Sequence, residues 1–138
     1  MEWGPRKIED FAGFSEMPVW QKAHKLVLDV YKLTASFPKD EVYGLTSQIR
    51  GASLSVSENI AEAFGRFHCL DKNKFYLNAR GSLEEAKNYL IISQDLGYLK
   101  VEDSEMLMVS VQSIIEELNA MVKALKIRDQ HKGRHNSK

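Results

Sequence analysis

The stretch QIRGASLSVSENIAEAFGR, residues 48–66, decides the fold class. It runs for nineteen residues without a proline. Leu45, Ile49, Ala52, Val56, Ile60, Ala63 and Phe67 recur every three or four residues, so on a helix they form one apolar stripe. Ser53, Ser57 and Ala61 follow one another at four-residue steps beside it. A row of small side chains lets a second helix come close, so this helix is expected to pack on more than one side.

A second stretch, FYLNARGSLEEAKNYLIISQDLGYL, residues 75–99, behaves the same way. Phe75, Ala79, Leu83, Ala86 and Leu90 make its core stripe. Gly81 stands mid-helix, where glycine costs about 1 kcal/mol relative to alanine. A close helix crossing at Gly81 is the expected reason.

The remaining helices are read from their ends. Pro18 suits a first helical turn, where its missing N–H is not needed. The first helix is expected from about Pro18 to Ser36, with Trp20, Ala23, Val27, Val30 and Thr34 inward and Leu26 and Leu33 on its flank. Phe37-Pro38 closes it, because a residue before proline avoids helical geometry. Asp40 is the expected cap of a turn through Tyr43. The second helix runs to about Phe67. Asp71 is the expected cap of the third, which ends near Gly97, suited to the position after a helix end. Glu102 and Asp103 open the fourth, since acids favour a helix N-terminus. Leu107, Val111, Ile114, Leu118, Met121 and Leu125 give that helix steps of four and three, a heptad pattern. Met108, Ile115 and Val122 widen its stripe. Long helices joined by short links imply an all-α, antiparallel up-down-up-down four-helix bundle. The expected organisation is an N-terminal extension over 1–16, the bundle over 17–127 and a basic C-terminal tail over 128–138.

Composition narrows the class. With 138 residues, 43% hydrophobic and 28% charged, the chain suits one globular domain. A single cysteine, Cys69, excludes an internal disulfide framework. No N-terminal apolar run has signal-peptide length and no segment reaches membrane-span length, so a cytoplasmic setting without membrane contact is expected. The 19 basic and 19 acidic side chains balance. They are unevenly spread. In the last sixteen residues Lys123, Lys126, Arg128, Lys132, Arg134 and Lys138 stand against Asp129 alone, a net +5, which leaves −5 for the rest.

Catalytic constellations fail on residue count. A bundle di-metal site built from Glu58, Glu62, Glu84 and Glu85 needs Glu-x-x-His pairs. Three residues after Glu62 stands Gly65, and three after Glu85 stands Asn88. Ser53, Ser55, Ser57 and Ser82 have no histidine at helical spacing. Cys69 beside His68 has no third group to orient the imidazole. No phosphate-cradling glycine loop is present. No enzyme activity, metal or cofactor is therefore expected. Glu62 and Arg66 make an i, i+4 pair in the favourable order. Asn59, Arg80 and Glu85 are expected to serve packing alongside them, as are Ser53, Ser57 and Gly81. Tyr76, Tyr89 and Tyr98 are expected in the core or an interface, ahead of base stacking.

Several short motifs recur in a fixed order: Trp20-Gln21-Lys22-Ala23, Phe37-Pro38, Tyr43-Gly44-Leu45, Gln48-Ile49-Arg50, Ser57-Glu58-Asn59-Ile60-Ala61-Glu62, Gly65-Arg66, Ala79-Arg80-Gly81-Ser82-Leu83 with Glu85, and Leu96-Gly97-Tyr98-Leu99. From about Phe14 to Leu125 the chain resembles the 23S rRNA-intervening-sequence protein family. It departs from the family pattern at Gly51, where a second basic residue is usual, at Ala63, where glycine is usual, and at Lys100, where serine often opens the last helix. Gly51 weakens a double-arginine nucleic-acid patch. The resemblance implies a homopentamer of four-helix bundles. It also implies a non-enzymatic accessory or adaptor protein, of the rRNA-intervening-sequence or diversity-generating-retroelement type, with RNA or DNA and a reverse transcriptase as partners. The alternative is a structural or protein-interaction oligomer that binds no nucleic acid. The basic tail is read first as a solvated segment that aids solubility; if it is a binding arm, the candidate phosphate contacts are Lys123, Lys126, Arg128, Lys132 and Arg134, with Arg50, Lys72 and Lys74 as further cations on the bundle.

Overall fold

The computed structural model describes residues 7–136, with side chains described from Lys7 to His131 apart from Glu9. Four α-helices carry the chain: α1 (Pro18–Thr34), α2 (Leu45–Phe64), α3 (Cys69–Asp95) and α4 (Val101–Asn136). Short 3-10 turns cover Ile8–Asp10, Phe14–Glu16 and Lys39–Glu41, and no strand occurs among the described residues. The fold is all-α. Contacts join α1 to α2, α2 to α3, α3 to α4, and α1 to α4.

The stripes read from the sequence form one core. Leu45, Ile49, Ala52, Val56, Ile60 and Ala63 of α2 are buried, as are Ala79, Leu83, Ala86 and Leu90 of α3. Leu107, Val111, Ile114, Leu118 and Leu125 of α4 meet them. Polar pairs then set the register. From Asn73 to Arg80 to Lys87 along α3, the partners on α4 step back from Val122 to Asn119 to Gln112. Tyr89 Oη donates to Gln48 Oε1, and Ser55 shares a 2.8 Å hydroxyl contact with Ser82, tying α2 to α3. Lys22 donates to Ser113 Oγ at 3.1 Å, and its ammonium lies 3.1 Å from Glu117 Oε2 without hydrogen-bond alignment, tying α1 to α4.

Helix ends follow local chemistry. Pro18 occupies the first turn of α1. Phe37, after α1 ends, folds back into the core against Tyr98, ring centroids 5.5 Å apart. Gly97 has φ +77°, the left-handed conformation a glycine adopts without steric cost. Its N–H donates to Gln94 O and that of Tyr98 to Ser93 O, a Schellman closure of α3.

Four sequence expectations shift. In α1 the buried positions are Val19, Ala23, Leu26, Val30 and Thr34, while Trp20 and Val27 are only partly covered. The inward stripe is turned by about one residue, because Val19 and Leu26 offer apolar volume without an indole N–H to satisfy. In α3 the fully buried aromatic is Tyr76, and Phe75 is half-covered beside the cations of Arg66 and Lys74. Burial pushes the Tyr76 phenol well above its ordinary pKa. Asp40 and Asp71 do not cap: the cap positions are Pro38 and His68, and both acids fall inside the first turn. Gly81 is exposed, and a Cβ there would meet nothing within 4 Å. Within one protomer no helix crosses at Gly81.

The fourth helix is longer than its pattern. Its 36 residues span about 54 Å at 1.5 Å each, against about 40 Å for the 27 of α3. The last core side chain on α4 is Leu125, and the helix continues to Asn136 past the 127 boundary. No described helix is long and apolar enough to cross a membrane.

Candidate nucleic-acid interface

The cations separate into two groups once placed. Arg50 is held inside the protomer. Its Nε donates to Thr34 Oγ1 at 2.9 Å, a second nitrogen reaches Tyr31 O at 3.4 Å, and the guanidinium sits 4.4 Å over the Tyr31 ring. Lys72 is buried at 9% exposure, and its ammonium donates to Ala63 O and Phe64 O, the last carbonyls of α2. Both side chains serve the bundle. Arg50 joins α2 to α1, and Lys72 closes a helix end.

Lys74, Lys123, Lys126 and Arg128 are exposed. The register of α3 on α4 brings them to one end. Asn73 Nδ2 meets Val122 O at 3.3 Å, so Lys74 lies level with the start of the basic run. The α2–α3 turn, with Arg66, Phe67 and His68, closes that same end. Lys132 and Arg134 belong to the α4 span, and their side chains lie outside the described residues.

The small and polar residues assigned to packing divide similarly. Ser53 is buried and donates to Arg50 O; Ser57 donates to Leu54 O. Both bonds stay within α2, so these hydroxyls satisfy themselves. Asn59 donates to Ser55 O and Ser55 Oγ, and reaches α3 only through the Ser55–Ser82 contact. Glu62 and Arg66 form the expected pair at 2.6 Å. Arg80 donates to Asn119 Oδ1 at 2.7 Å and so ties α3 to α4. Glu85 is exposed. No group of three metal-capable side chains lies together among the described residues.

Two features escaped the sequence reading. Phe67, placed in the core stripe, is 95% exposed. The signal was Gly65: as the C-cap residue it ends α2 at Phe64, and the following ring leaves the stripe. The other is a groove of about 600 Å³ between the N-terminal turns, the start of α1 and the later half of α4. Ile8, Phe11, Met17, Met121 and Leu125 line it. No periodicity could reveal it, since its walls come from three separate segments.

The profile of the 23S rRNA-intervening sequence protein family matches residues 15–120. The chain belongs to this family. The fold is also similar to the crystal structure of a protein of unknown function from the S23 ribosomal protein family of Bacteroides thetaiotaomicron. The TM-score is 0.69 at 19% identity, over 76% of this chain and 98% of that one. No curated protein matches the sequence. The family match covers α1 to α3 and most of α4, and it stops before the basic run that begins at Lys123. The cations of the α4 extension are thus a property of this chain beyond the matched region.

Proposed function

We propose that this family member is a non-enzymatic accessory protein that holds RNA or DNA by its phosphates. In this reading it is an antiparallel up-down-up-down bundle that assembles as a homo-oligomer, the pentamer of the family resemblance. The stepping-back of contact partners from Asn73 to Lys87 supports the antiparallel order. Exposed Leu77, Ile91 and Ile92 on α3, beside the open Gly81, support a second packing face. The observation that carries the functional reading is the collection of Lys74, Lys123 and Lys126, all exposed, at the end from which α4 projects. A polyanion is the partner such charge selects. In an oligomer each copy repeats the patch, so weak contacts add through effective concentration.

Binding of RNA and DNA at two salt concentrations, by the full chain and by a chain lacking 128–138, tests this. The expected result is salt-dependent binding that weakens on truncation. Its slope against log salt should fall by roughly 0.7–0.9 for each phosphate that the shortened chain no longer neutralises. The fold should persist, because the core on α4 ends at Leu125. Light scattering should give a mass several times 15.8 kDa. No binding at low salt by an oligomer of intact fold would instead favour a structural or protein-interaction role, the reading that the net charge of zero supports.

A further inference from the structure

The α2–α3 turn presents an aromatic ring to solvent among cations. Phe67 is 95% exposed, and no other ring stacks on it among the described residues. Arg66 precedes it and His68 follows. The Arg66 guanidinium is fixed on two sides, 2.6 Å from Glu62 Oε1 and 4.8 Å from the centre of the Phe75 ring. Lys74 Nζ lies 5.9 Å from the same ring, one helical turn into α3. Continuing the α3–α4 register past Asn73 and Val122 brings the turn level with Ile127 and the basic stretch around it. The local acids are fewer: Glu62, already paired with Arg66, then Asp71 and Asp129.

Tyr43 is the natural comparison. It is as exposed as Phe67, at 94%. It sits in the α1–α2 turn, where its neighbours are Lys39, Asp40 and Glu41, a net charge of −1. Among the described residues two aromatic rings at inter-helix turns are almost fully exposed, and of these Phe67 is the one whose surroundings carry net positive charge. Ring faces among cations suit a ligand that is both aromatic and polyanionic.

We propose that Phe67 is a stacking platform for an unpaired base, and that the preferred ligand of this end is a single strand. This inference rests on the nucleic-acid reading and names its substrate class. Stacking accepts any base, because every base has a π-face, while a duplex hides those faces inside its helix. Lys74, Lys123 and Lys126 hold the flanking phosphates, while Arg66, paired with Glu62 and stacked on Phe75, keeps the turn in place. The turn thereby adds affinity for strands whose bases are free, and the α4 extension adds charge that does not distinguish single strands from duplexes.

The test compares parent, Phe67→Ala, Phe67→Trp and Lys74→Gln on three probes: oligo(U), oligo(dT) and a duplex, each of about twenty nucleotides. Phe67→Ala should lose roughly tenfold in affinity for both single strands, the scale of one stacked base. Its duplex affinity and its salt slope should stay with the parent, since no phosphate partner is removed. Phe67→Trp should retain or exceed parental affinity. Lys74→Gln should lower the salt slope on all three probes by roughly 0.7–0.9, the share of one phosphate. Because Phe67 is exposed, folding is not at issue, and circular dichroism checks it. Equal affinity of parent and Phe67→Ala for single strands overturns the proposal. So does a Phe67→Ala chain whose binding is unchanged but whose mass by light scattering falls, which assigns the ring to a subunit or protein contact. A parent that binds no probe at low salt removes the nucleic-acid reading itself, and this inference with it.

Discussion

Ala79→Leu should destabilise the protein by about 1–3 kcal/mol, whereas Gly81→Leu should leave the isolated protomer as stable or slightly more so. The two positions lie two residues apart on α3 and face opposite environments. Ala79 is fully buried, one turn from Tyr76 and Leu83, which are also fully buried. Three added carbons there must displace core atoms or leave their rotamers. At Gly81 the first added carbon meets nothing within 4 Å. Replacing glycine also removes a helix-propensity cost of about 1 kcal/mol. Urea unfolding of the two variants at low protein concentration reads the difference. Equal losses from both would restore a close crossing at Gly81. Light scattering separates a third case: if Gly81→Leu folds as well as the parent but has lower mass, the open face around Gly81 meets another copy.

The fold was readable because burial follows periodicity. Every α2 stripe residue from Leu45 to Ala63 is in the core, and so are Ala79, Leu83, Ala86 and Leu90 of α3. The misplacements occur where a second physical demand competes with the pattern. Phe67 fits the period of α2, but Gly65 ends the helix first. Phe75 fits the period of α3, yet Tyr76 takes the core position and Phe75 stays at the edge under two cations. The hydroxyl of Tyr76 has no hydrogen-bond partner among the described residues. A reading that keeps polar atoms wet would not place it there.

The candidate site was less readable. Sequence gives the number of cations and their order along the chain. It does not say which are already used inside the protein. Arg50 and Lys72 look like Lys74 and Lys126 in a linear string. Only the packing shows that Arg50 reaches Thr34 and Tyr31, and that Lys72 reaches the end of α2. The charge cluster itself arises from register: Asn73 on Val122 puts the start of α3 beside the later part of α4, 49 residues on. That proximity has no local sequence signal.

Lys72→Met should cost about 2 kcal/mol of stability and leave nucleic-acid affinity and its salt slope near those of the parent. The ammonium sits at 9% exposure and donates to Ala63 O at 3.1 Å and Phe64 O at 3.3 Å. Helix C-terminal carbonyls have no partner within their own helix, and a cation there also meets the negative end of the helix dipole. Ala63 O keeps a second donor, the Arg66 N–H at 3.1 Å. Phe64 O accepts from Lys72, so it bears most of the loss. Hydrogen bonds to charged groups contribute about 1.5–3 kcal/mol each, and methionine keeps the apolar stem packed while removing only the donor. The largest local change should be at the α2–α3 turn, where amide exchange of Arg66 and Phe67 should speed up. Urea denaturation and binding to the same probes separate the two roles of a lysine here. A variant of parental stability with a shallower salt slope would return Lys72 to the phosphate-binding set. The expected outcome, lower stability with an unchanged slope, assigns it to the closure of α2.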